Sequence, residues 1–134
     1  MPPVSLTAPF VQALLVLPFF VMGLSHIVQP AMWREYFLGL HAQGPPGLVT
    51  RTFSLELWSA LLIVTFHQVW GGPAVVLTLY GHALMTKIIL SMLAPRLGLR
   101  SLALAGKGDN GFRAGGVMLM ALGALDLWVL IRAA

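Results

Sequence analysis

The stretch PFVQALLVLPFFVMGLSHIV, residues 9–28, holds no Asp, Glu, Lys or Arg over twenty positions. At about 1.5 Å per residue, a helix of that length spans about 30 Å, the thickness of a hydrocarbon core. Three more apolar runs follow, at about 53–70, 73–93 and 115–131. The four together fill most of the 134 residues, which leaves no room for a separate soluble domain. The expected fold is therefore all-α and single-domain, residues 1–134: an integral membrane four-helix bundle. Pro18 inside the first run predicts a kink that neighbouring helices absorb.

Composition agrees with the lengths. Hydrophobic residues make up 58% and charged residues 9%, against about 25% charge in a soluble domain. Mean hydropathy is +0.88. The net charge of +4 comes from basic residues placed mostly between the runs, so it reads as an orientation signal and not as a nucleic-acid partner. Cys is absent, which excludes disulfides, thiolate chemistry and cysteine-held metals. Residues 1–8 carry no Lys or Arg and no small-residue cleavage site follows the first run; no cleaved signal peptide is expected.

The connections carry the orientation. Pro30 starts a segment in which Trp33, Phe37 and Leu40 share one helical face, with Arg34 and Glu35 turned away. That spacing predicts a short amphipathic helix lying in the interface between spans one and two. Gly44-Pro45-Pro46-Gly47 should end it as a loop, and Gly71-Gly72-Pro73 should make spans two and three a hairpin. Arg34, Arg51, Arg96, Arg100, Lys107 and Arg113 all fall in the two connections on one side. The positive-inside rule places those connections in the cytoplasm and both termini on the non-cytoplasmic side.

Ionisable residues inside the runs are costly and usually face protein. Glu56, early in span two, and Lys87, in span three, lie at similar depth near the cytoplasmic surface. They can pair, either as a structural ion pair or as the polar end of a ligand pocket. His82 in span three and Asp126 in span four have comparable depth nearer the other surface. Thr78, His82 and Thr86 recur every four residues, and Asp126 sits on a small-residue face with Gly123 and Gly116. An interhelical Asp126–His82 hydrogen bond or a titrating pair follows from that placement. His26 lies near the cytoplasmic end of span one and His67 near the opposite end of span two. Their mismatched depths argue against haem, and no spacing marks a metal site. No nucleotide loop, nucleophile elbow or zinc motif is present, so no catalytic residues are assigned and an enzyme is not expected.

Gly23-Leu-Ser-His26-Ile-Val-Gln-Pro30, which closes the first span, and Leu55-Glu56-Leu57, early in the second, resemble the DoxX-like family of small four-span membrane proteins. That resemblance rests on Gly23, His26, Pro30 and Glu56. It implies a four-helix bundle and, for some relatives, a link to quinone or thiosulfate-oxidising systems. Lys87 and the basic connection before span four lie outside the shared pattern.

Three functions are in play. The first is a non-catalytic accessory subunit of a larger membrane complex, docked through its small-residue faces against other subunits or itself. The second is a quinone-, pigment- or lipid-binding protein whose cleft ends on Glu56, Lys87, His26 and Asp126. The third is a proton-linked transporter unit. Membrane lipids are partners in all three, and no resident cofactor is specified.

Overall fold

The computed structural model describes residues 4–133, with side chains from residue 7 onward. The order is α1 (Val4–Val28), α2 (Pro30–Ala42), α3 (Pro45–Arg51), a π-helical turn (Thr52–Glu56), α4 (Leu57–Phe66), α5 (Val75–Leu93), α6 (Pro95–Ala103), a 3-10 turn (Leu104–Lys107) and α7 (Asn110–Ala133). Among the described residues there is no β-strand. Four helices are long and apolar enough to cross a membrane: Thr7–Val28, Pro45–Phe66, Val75–Leu93 and Asn110–Ala133.

The second of these starts eight residues before the expected position and stops four residues earlier. Gly44 takes φ +69° and precedes Pro45 at the first helical position, so the expected loop at 44–47 is a helix start. Proline suits that position because its missing N–H would be unpaired there anyway, and glycine alone adopts the positive φ without strain. At the far end, His67 leaves helical geometry with ψ 77°. The chain then turns through Gly72, φ +70°, into α5. Pro9 and Pro18 both lie inside α1, which continues through them. The connection after α5 is not a loop throughout, because α6 and the 3-10 turn occupy most of it.

α1 packs along α7, and α4 along α5; the two pairs touch each other more sparsely. Small residues set these approaches. A Cβ on Gly23 would stand 2.7 Å from the Gly116 carbonyl oxygen, and one on Gly116 would stand 2.5 Å from that of Gly23. Gly81 similarly lets α5 rest against Ile63. Val11, Leu15, Phe19, Ile63, Leu77 and Leu122 form the main buried cluster. Phe19 meets Tyr80 edge-on, with ring centroids 5.7 Å apart. Leu17, Val21, Leu79, Val117 and Ile131 point outward. Apolar residues therefore cover both inside and outside, and close packing rather than polarity distinguishes the interior.

A second, smaller cluster closes one end. Leu40 of α2, Leu48 of α3 and Leu102 of α6 are buried together, with Phe37, Met92 and Leu99 against them. The amphipathic face read for α2 is the one used: Leu40 is buried, Trp33 and Phe37 are half-buried, and Glu35 is exposed. Arg34 forms an ion pair with Asp109, just before α7. α6 turns Leu102 inward and Arg96 and Arg100 outward.

Candidate functional site

A cleft of about 860 Å³ lies among the long helices, reaching the α2–α3–α6 end. That volume falls within the ~300–1,000 Å³ range of small-ligand sites. Its body is apolar, with Phe19, Met22, Trp58, Leu84, Met118 and Leu119 in the wall. The lining also includes exposed Ala83, Lys87 and Met118, so it is an open cleft, not a closed void. It exists because the α1–α7 pair and the α4–α5 pair are each tight while the contact between the pairs is sparse.

Charge gathers at one end of this cleft. Glu56, 8% exposed, stands between two cations. Its Oε1 is 2.9 Å from Arg51 Nε, and its Oε2 is 2.8 Å from Lys87 Nζ. The charges are at contact distance, yet Arg51 Nε and Glu56 Oε2 miss hydrogen-bond geometry. Distance governs the Coulomb term, so the contacts count as ion pairs with poor hydrogen-bond direction. Arg51 is only 3% exposed. Its Nη1 donates to Ser101 Oγ of α6 at 3.1 Å, and its Nη2 is buried with no hydrogen-bond partner.

The π turn explains why Arg51 and Glu56 meet. Residues five apart fall on well-separated faces of an α-helix. The widened turn, in which the Leu57 N–H reaches Thr52 O, carries i→i+5 bonding and brings positions 51 and 56 onto adjacent turns. In the sequence Arg51 reads as a connection charge that sets orientation, because 44–47 reads as a loop and span two as starting near Phe53. The structure instead buries Arg51 beneath α6. A five-residue Arg–Glu spacing is the only trace of this in the sequence, and it does not stand out in a chain read with α-helical periodicity.

His26 also lines the cleft. Its Nδ1 donates to Met22 O at 2.7 Å. The ring stacks on Trp33 with centroids 4.4 Å apart, and Trp33 Nε1 donates to Ser25 Oγ at 2.8 Å. Phe112 stacks on Phe37 beside it, at 5.5 Å. The amphipathic helix α2 thereby forms part of the cleft's rim.

His82 and Asp126 are placed elsewhere. Neither is among the cleft-lining residues, and no hydrogen bond or ion pair joins them among the described residues. His82 Nδ1 donates to Thr78 O one turn back, at 2.8 Å, and Thr86 Oγ1 donates to His82 O. The polar stripe therefore bonds along its own helix. Asp126 is 1% exposed, and its Oδ2 has no hydrogen-bond partner. The expected Asp126–His82 contact does not form, because α7 lies against α1 and makes little contact with α5.

The polar network that does form near that end was missed. His67, wholly buried, has Nε2 2.9 Å from Gln12 Nε2 and Nδ1 2.9 Å from Thr78 Oγ1. Thr78 Oγ1 donates to Val69 O at 2.8 Å. One proton assignment suits all of these contacts: Nδ1–H donates to the hydroxyl and Nε2 accepts from the Gln12 amide. The network ties α1, the end of α4 and the start of α5 together. Among the described residues, no group of three or more His, Cys, Asp or Glu is placed to hold a metal ion.

No family model, curated protein or solved structure matches this chain.

Proposed function

We propose that this chain is an integral, multi-pass membrane protein, a four-helix bundle with α2 in the interface, whose cleft holds an amphipathic small molecule taken from the membrane. The observation that carries this is a cleft that combines an apolar body with the Arg51–Glu56–Lys87 cluster, its Arg51 and Glu56 buried, at one end. Apolar walls with a few convergent polar groups are the usual form of a small-molecule site. A quinone, a pigment or a lipid has the matching shape: an apolar body and one polar end. In this proposal the exposed basic residues Arg96, Arg100, Lys107 and Arg113 face the cytoplasm, and both termini face away from it.

The DoxX-like kinship belongs to the same proposal. His26 and Glu56 line the cleft, Pro30 begins α2, and Gly23 sets the α1–α7 approach. The ligand reading is preferred to an accessory subunit because the small-residue faces available for docking are used between α1 and α7. It is preferred to a proton-linked transporter because Asp126 and His82 are not joined.

The test is native mass spectrometry of the protein extracted gently from its own membrane, beside an Ala83→Trp variant. Ala83 lines the cleft from an exposed position, so the indole fills the space without disturbing the core. A bound amphiphile that is lost from Ala83→Trp supports the proposal. Stoichiometric foreign subunits with no amphiphile would replace it with the accessory role.

A further inference from the structure

Resting on the cleft being a ligand site, we infer that its natural occupant is an amphiphile with a singly charged oxyanion head, and that Arg51 and Lys87 are the groups that receive it. The charges at the cleft's end do not balance. Arg51 and Lys87 are cationic, while Glu56 is the single acidic residue in the lining. Arg51 and Lys87 against Glu56 leave one excess positive charge at that end. Asp109, the nearest acid in the following connection, is already paired with Arg34, and Asp126 lies outside the cleft.

The excess charge falls on Lys87, whose side chain is 46% exposed where the cleft opens, so an anion entering the cleft meets it directly. Arg51 Nη2 supplies the second observation. It is a buried donor without a partner, on a guanidinium whose Nη1 donates to Ser101 and whose Nε lies in ion-pair contact with Glu56 without hydrogen-bond geometry. With a turn of the Arg51 guanidinium toward the cleft, an oxyanion on Lys87 Nζ would also satisfy Nη2, and it would neutralise the excess charge through charge-assisted hydrogen bonds. A neutral carbonyl head would do the first but not the second. A phosphate monoester, at about −1.5 to −2, would overshoot. A carboxylate or a phosphodiester, each carrying a single charge, fits both. Glu56 holds the two cations apart and in place.

The experiment uses the full-length chain in nanodiscs of phosphatidylcholine at alkaline pH, where a fatty acid is ionised. Dibromostearate bound in the cleft quenches Trp58, which lines it, and the part of the quenching lost in Trp58→Phe is the cleft signal, since Trp70 and Trp128 are exposed outside it. Competitors are stearate, stearyl alcohol and monoacyl phosphatidylglycerol. Stearate or the phosphodiester should displace the probe at least about tenfold better than the alcohol, the worth of one hydrogen bond to a charged group. Displacement by stearate assigns a free acid, and displacement by monoacyl phosphatidylglycerol alone assigns a lipid headgroup. Lys87→Met makes the end neutral and should erase the preference while leaving alcohol binding intact, which also reports that the variant is folded. Glu56→Gln should strengthen it. If the alcohol competes as well as the anions in the unaltered protein, the anionic head is wrong and the cleft stands. If no competitor displaces the probe and Ala83→Trp leaves quenching unchanged, the ligand site itself falls.

Discussion

Replacing Gly116 with Ala should weaken the fold, whereas the same change one residue earlier should not. A Cβ at Gly116 would lie 2.5 Å from the Gly23 carbonyl oxygen and 2.9 Å from both His26 Cβ and Ile27 Cγ1. Ile27 can rotate, but the Gly23 oxygen belongs to the backbone of α1. Reaching ordinary contact at about 3.5 Å therefore needs α1 to retreat by about 1 Å. A gap of that size forfeits about a quarter to a half of each dispersion contact along the seam, where Phe19 and Leu122 are buried. Overpacking of this kind costs about 1–3 kcal/mol. At Gly115 a Cβ would meet nothing within 4 Å. Both changes share the same gain in helix propensity, so it cancels in the comparison and the packing term remains. Reversible unfolding in mixed micelles, followed by far-UV circular dichroism, should place Gly116→Ala about 1–3 kcal/mol below Gly115→Ala. Equal stability of the two variants would refute the close α1–α7 approach, and with it one wall of the cleft.

Arg51→Met should cost about 3 kcal/mol in the same assay, because it leaves the buried Glu56 carboxylate with only Lys87, whose side chain is 46% exposed. Adding Glu56→Leu should recover most of that loss; failure to recover would mean that Arg51 stabilises through packing and not charge. His67→Ala should cost about 2–3 kcal/mol by leaving Gln12 and Thr78 without their shared partner, while Gln12→Leu, which removes one arm, costs less; equal losses would mean that the His67–Thr78 arm adds nothing. Asp126→Asn should leave stability unchanged or raise it, because Asp126 is 1% exposed with Oδ2 unpartnered and the change removes an uncompensated buried carboxylate; a large loss would reveal a charged partner. Arg34→Ala should cost under about 1 kcal/mol and less still at high salt, since both members of the pair are about a third exposed.

The four helices of membrane-spanning length and the all-α class were legible in the sequence because run length and the near absence of charge are local properties. Four runs of about twenty residues need no tertiary information to be read as helices of membrane-spanning length. The amphipathic face of α2 was legible for the same reason, since periodicity along one helix shows in the order of residues. Glu56 and Lys87 could be placed at one depth because a tight hairpin relates the positions of its two arms. What only the tertiary structure decided was the pairing of helices across long separations. α7 lies on α1, so Asp126 meets span one and His82 remains on its own helix. The helix start at Pro45 and the π turn at Thr52–Glu56 rotate Arg51 inward, and α6 covers it. Neither event has a strong local signature: the proline pair reads as a loop, and a π turn breaks the periodicity by which faces are assigned. The cleft is the space left between two tightly packed helix pairs. It is a property of how the pairs fail to fill the volume between them, and no single segment of the sequence encodes it.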